Sequence, residues 1–149
     1  GEHFDEATDK MKMLNANTVT PEDKILVGTV FDGLFQSLNN RDENGLMNSF
    51  SPLIAKFLGK ANATRSDVVT FMHKIYKSDV ASMNWMSLED YAITKKEVGD
   101  QQYEYTVVFS GLQKVEHTDN SSSETRFRFN AKVNPDGRIT ELNMTKILE

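Results

Sequence analysis

The spacing of apolar residues changes once along this chain, and that change limits what it can fold into. From Val27 to Tyr76 the apolar positions recur about every 3.6 residues; after Ser78 they recur at every second residue. Helical spacing followed by strand spacing, with no return, predicts an α+β domain with helices first and a curved antiparallel sheet of four to six strands after them. Thr20-Pro21-Glu22-Asp23 opens the first long helix. Thr20 can cap it, Pro21 carries the fixed φ of a first turn, and the two acids suit the positive end of the helix dipole. Val27, Val30, Phe31, Leu34 and Leu38 form its apolar stripe, which ends at Asn39-Asn40. Asp42 begins a short second helix carrying Leu46, Met47 and Phe50, and residues 53–58 read as an apolar connector closed by Gly59. Ser66 and Asp67 are expected to cap a third helix, with Val68, Met72, Ile75 and Tyr76 on one face.

In the second half, residues 80–98 read as one long strand with an irregularity near 87–90, followed by a turn at Gly99-Asp100-Gln101. Tyr103, Tyr105, Val107 and Phe109 share one face of the next strand, and Gly111 inside it suggests a bend. The following strand alternates cleanly. Phe127, Phe129, Ala131 and Val133 point one way, and Arg126, Arg128, Asn130 and Lys132 the other. Asn134-Pro135-Asp136-Gly137 is a tight-turn sequence. The last strand has two registers that would put opposite faces inside. Burying a lone carboxylate costs several kcal/mol, so patterning selects Leu142 and Met144 as inward, with Glu141 an outer partner for Arg126 or Arg128. Residues 1–19 form a lead-in segment or helix, with Phe4, Ala7, Met11 and Leu14 at helical spacing, and residues 20–149 a single domain.

Composition removes several functions. A net charge of −5 argues against a nucleic-acid partner, because phosphate binding needs a basic field. With no cysteine there is no disulfide, zinc–thiolate site or thiol catalysis. Phosphate-loop and metal-ligand spacings are absent from the sequence, so no cofactor or metal is expected. No apolar run approaches the roughly 20 residues of a membrane helix. The start at Gly1 and the lack of Cys point to an exported protein, periplasmic or cell-surface, with a targeting segment removed. Asn62, Asn120 and Asn143 each begin a glycosylation triplet, a short pattern common by chance.

The long first helix running into Leu38-Asn39-Asn40-Arg41-Asp42, then Met47-Asn48-Ser49-Phe50-Ser51, and the closing Asp136-Gly137-Arg138-Ile139 before a final strand resemble the nuclear transport factor 2-like superfamily, the cystatin-like α+β cones. The resemblance spans about residues 21–148. It implies a sheet wrapped around the helices, with a cavity open at one end. It also implies a choice between isomerase- or dehydratase-like enzymes, which use an Asp or His base with an acid or Tyr donor, and non-enzymatic modules.

The inward strand positions carry no acid or imidazole, which favours a non-catalytic small-molecule-binding or protein-interaction domain. Its apolar pocket would be lined by Phe31, Phe35, Met72, Tyr76, Trp85, Tyr105, Phe109, Phe127 and Phe129, and its ligand would be small and largely apolar. The alternative is an enzyme using His73, Asp32 or Glu141 as base with a Tyr donor. His73 would then need an orienting partner, whereas His117 reads as solvated and His3 lies in the lead-in segment. The polar outer sheet face leaves a homodimer open but does not indicate one.

Overall fold

A computed structural model of the chain describes residues 18–147. Among these are three helices, α1 (Pro21–Asn40), α2 (Glu43–Asn48) and α3 (Arg65–Ile75). The strands are β1 (Leu53–Phe57), β2 (Lys60–Thr64), β3 (Val80–Ser87), β4 (Ala92–Gly99), β5 (Gln102–His117), β6 (Ser122–Val133) and β7 (Ile139–Lys146). They form one sheet in the order β2-β1-β7-β6-β5-β3, with β4 also paired to β5. This is the expected α+β architecture, but with seven strands rather than four to six and with one parallel pair, β1 beside β7.

α1 starts where its sequence says. The Thr20 hydroxyl accepts from the Asp23 N–H at 3.1 Å, and the Asp23 carboxylate accepts from the Thr20 N–H at 2.8 Å, a reciprocal box that satisfies two otherwise orphaned donors. Val27, Phe31, Leu34, Phe35 and Leu38 bury its inner face. Asp42 caps α2 through the Gly45 N–H. The third helix begins earlier than expected, with Thr64 rather than Ser66 at the cap; its N–H donates to Asp67 at 2.8 Å. β2 runs straight into α3, so its last residue already has the extended backbone a cap requires.

The stretch 53–58 is not a connector. It is β1, joined to β2 by a two-residue turn at Leu58 (φ 49°) and Gly59 (φ 89°), the paired positive φ values of a hairpin turn. Its buried residues, Ile54 and Phe57, lie three apart and so show no alternation. The long strand at 80–98 is one line interrupted: β3 and β4 both pair along the same edge of β5. Between them Tyr91 sets its ring 5.5 Å from that of Phe31 and 4.8 Å from that of Phe109.

A bulge settles the last strand. Val133 pairs with Ile139 and Lys132 with Glu141, so β7 contributes two steps where β6 contributes one. Ile139 and Leu142, an odd number apart, are therefore both buried, with Met144 packed half-buried behind them. Glu141 faces outward as expected, but its partner is Lys132, at 3.7 Å, rather than Arg126 or Arg128. The bulge brings it opposite Lys132, and Arg128 pairs instead with Glu89.

Gly111 marks a close approach, and the pairing of β5 with β6 runs through it without a shift. A Cβ there would sit 2.5 Å from Cε2 of Phe129 and 3.2 Å from the Met86 carbonyl oxygen. Gly111→Ala is expected to cost about 1–3 kcal/mol by overpacking. An unchanged urea midpoint would mean that the Phe129 ring moves aside freely.

Candidate functional site

Six of the nine residues read as pocket-lining pack ring against ring between α1 and the sheet. Phe109 and Phe129 stack at 4.8 Å with planes 7° apart, Phe35 and Trp85 lie parallel at 6.5 Å, and Phe31 meets Phe109 edge-on at 5.0 Å. Phe127 lies against Trp85 at 5.7 Å. Offset and edge-on pairs of this kind hold one another in place. Phe35 and Trp85 also reach a surface depression of about 330 Å³ that contains Asp32, Gln36, Asn39, Met86 and Ser87. Asp32 is exposed there. The Asn39 amide is engaged on β3: it accepts from the Trp85 N–H at 2.6 Å and donates to the Asn84 side chain at 2.9 Å.

Tyr105 reaches a polar group that the strand positions alone did not disclose. Its hydroxyl donates to Asp23 at 2.5 Å, and the Lys95 ammonium donates to the other oxygen of the same carboxylate at 2.9 Å. Both Asp23 and Lys95 are 8 % exposed. Burial alone would raise the Asp23 pKa. The Thr20 N–H, the Tyr105 hydroxyl, the Lys95 ammonium and the Thr20 hydroxyl together outweigh it and bring the value down to about 2. Burial, then the Asp23 carboxylate, pushes the Tyr105 hydroxyl well above the usual phenol range. Lys95 also lies over the Tyr103 ring, 4.2 Å from its centre. Asp23 stands four residues before Val27, on the extension of the apolar stripe. That spacing was the available signal that its side chain turns inward.

The two remaining pocket candidates, Met72 and Tyr76, meet at the rim where α1, α2 and α3 converge. They line a depression of about 310 Å³ together with Arg41, Glu43 and His73. Met72 is buried beneath it. The Tyr76 hydroxyl donates to the Leu38 carbonyl at 2.5 Å, and the Arg41 guanidinium lies over the Tyr76 ring, 4.1 Å from its centre. Burial raises the Tyr76 pKa, and Arg41 opposes this. Arg41 is the left-handed residue (φ 55°) that caps the C-terminus of α1, its backbone N–H donating to the Leu38 and Ser37 carbonyls. His73 Nε2 is 2.5 Å from the Glu43 carboxylate, so the histidine does have an orienting acid, although the two side chains are 63% and 49% exposed. Arg41 and Glu43 carried no sequence signal beyond their place after the first helix.

The other candidates lie elsewhere. His117 sits at the far end of β5, between Ser123 and Asp79. Glu141 is on the outer face with Lys132, and His3 lies outside the described residues. Among the described residues no three His, Asp or Glu side chains gather as a metal site, and no helix is long and apolar enough to cross a membrane.

No family profile and no curated protein matches the chain by sequence. Solved structures do match by shape. A nuclear transport factor 2-like superfamily protein from Salmonella enterica serovar Typhimurium superposes with a TM-score of 0.68 at 12% identity, covering 85% of this chain and 92% of its own. The type 3 hexachlorocyclohexane dehydrochlorinase of Novosphingobium barchaimii superposes at 0.61 and 9% identity, covering 95% and 91%. A scytalone dehydratase candidate from Novosphingobium aromaticivorans gives 0.61 and 9%, covering 95% and 89%. Identities this low speak to architecture alone. In its helices, its sheet and its shape-matched relatives, this chain has the nuclear transport factor 2-like fold, which enzymes and non-enzymatic proteins share.

Proposed function

We propose that the chain is a non-catalytic binding module for a small, largely apolar ligand, and that the rim depression over Met72 and Tyr76 receives it. The observation that carries this reading is the state of Asp23. It is the one buried carboxylate among the described residues, and its oxygens are taken by Thr20, Tyr105 and Lys95. A general base works best with a pKa near the operating pH, and one held at about 2 takes up a proton poorly. The rim depression, by contrast, has the size of a small-ligand site, an apolar floor and a few polar groups at its edge. A panel of small hydrophobic probes is expected to raise the melting temperature, since a ligand at 100 times its Kd adds about 2.7 kcal/mol to stability. Silence across the whole panel counts against the reading.

A second reading, an isomerase- or dehydratase-like enzyme, draws on the same Asp23–Tyr105 contact, an acid within hydrogen-bond reach of a Tyr. An elimination or isomerisation activity that disappears in a folded Asp23→Asn variant would put this reading first.

A further inference from the structure

We infer that the rim depression selects a monocarboxylate with an apolar body, held by Arg41. The inference rests on the binding-module reading and names its ligand class. Arg41 is the cation of this site without a salt-bridge partner: among the described residues no carboxylate lies within ion-pair distance of it, and its guanidinium carbon lies 4.1 Å from the centre of the Tyr76 ring. The Tyr76 ring holds the guanidinium in place, and its N–H groups are the donors that match the two oxygens of a carboxylate. A guanidinium held before a ligand arrives loses less side-chain freedom on binding.

The rest of the wall sorts the ligands further. Met72 gives an apolar, polarizable floor beside the Tyr76 ring, suited to an aromatic or branched aliphatic body rather than a second charged group. Glu43 stands in the same wall, and His73 engages it at 2.5 Å. One free cation beside a neighbouring carboxylate suits a single negative charge and penalises a dianion such as phosphate. The N-terminus of α2 adds no anion site, since α2 is six residues long and the Gly45 N–H is already taken by Asp42 at 3.0 Å. A cavity of about 310 Å³ accommodates a ligand the size of phenylacetate.

The test is calorimetric titration of the intact chain with phenylacetate, its neutral isostere phenylacetamide and inorganic phosphate. It is paired with NMR of the Met72 methyl, His73 and Tyr76 ring signals. Phenylacetate is expected to bind at least tenfold tighter than the amide and to shift those three signals, with phosphate showing no saturable binding. Arg41→Gln should abolish the acid-over-amide preference while leaving amide binding in place. Arg41→Lys, which keeps the charge but loses the fork, should retain only part of the preference. Equal binding of acid and amide overturns the carboxylate inference and leaves the binding-module reading standing. Tight phosphate binding, or signal shifts confined to another region, also overturns the inference. If neither organic probe nor any of the hydrophobic panel binds, both fall.

Discussion

Replacing Asp23 with alanine is expected to destabilise the domain by about 3–5 kcal/mol, because it strands the buried Lys95 ammonium without a counter-charge. For a chain of this size that corresponds to a fall in Tm on the order of 10 °C. Tyr105→Phe removes one charge-assisted hydrogen bond and leaves the ion pair, so a smaller loss of about 1.5–3 kcal/mol is expected. The same carboxylate sets an acid limb. Its folded pKa, about 2, lies below the ordinary 3.8. Its contribution is therefore complete above pH 4 and disappears as the pH falls from about 4 to about 2, a change of roughly 2 kcal/mol. This is less than the cost of truncation because a protonated Asp23 still fills its place and offers oxygens to Lys95 and Tyr105, whereas alanine removes both the charge and the acceptors. Denaturant melts of the wild type and Asp23→Ala at pH 6, 3 and 2 check both points. Equal midpoints at pH 6 would show that the pair contributes nothing net, and an acid limb of undiminished size in the variant would assign it to other groups.

Phe109→Ala should be comparably severe, about 3–5 kcal/mol. Phe109 is fully buried and its ring touches those of Phe31, Phe35, Tyr91 and Phe129. Removing it leaves a void between α1 and the centre of β5 that four rings would each have to move to fill. Ile25→Ala is the control: its side chain is 69% exposed, and its loss should change stability by no more than about 0.5 kcal/mol. If the two substitutions proved equal, the ring cluster would not be the centre of the core.

Much of this architecture could be read from residue spacing, and the parts that could not share a physical cause. The Thr20 cap, the α1 stripe and the inward run from Tyr105 to Val133 each repeat one period over many residues, so local pattern and tertiary burial agree. β1 escaped because its buried residues are three apart, and one of its two partners, β7, lies more than eighty residues further along the sequence. The register of β7 was ambiguous because a bulge places residues of both parities inside. The Asp23–Lys95–Tyr105 group was hidden for a related reason. Each member has an ordinary local role, as a first-turn acid, a strand lysine and a core aromatic, and only the fold brings them together. The rim site was half visible. Met72, Tyr76 and His73 lie within five residues of one another on α3 and its cap, while Arg41 and Glu43 arrive across a turn.

The place of β7 in the sheet bears on how the chain is made. β7 lies between β1 and β6, so the last strand of this sheet to be synthesised is the one that joins the first hairpin to the strands after it. Until residues 139–146 emerge, β1 lacks its inner neighbour and β6 keeps an open edge, both of them surfaces on which nascent chains associate wrongly. Closure over so long a stretch is also slow. Vectorial synthesis therefore leaves this sheet in two parts until residues 139–146 are made.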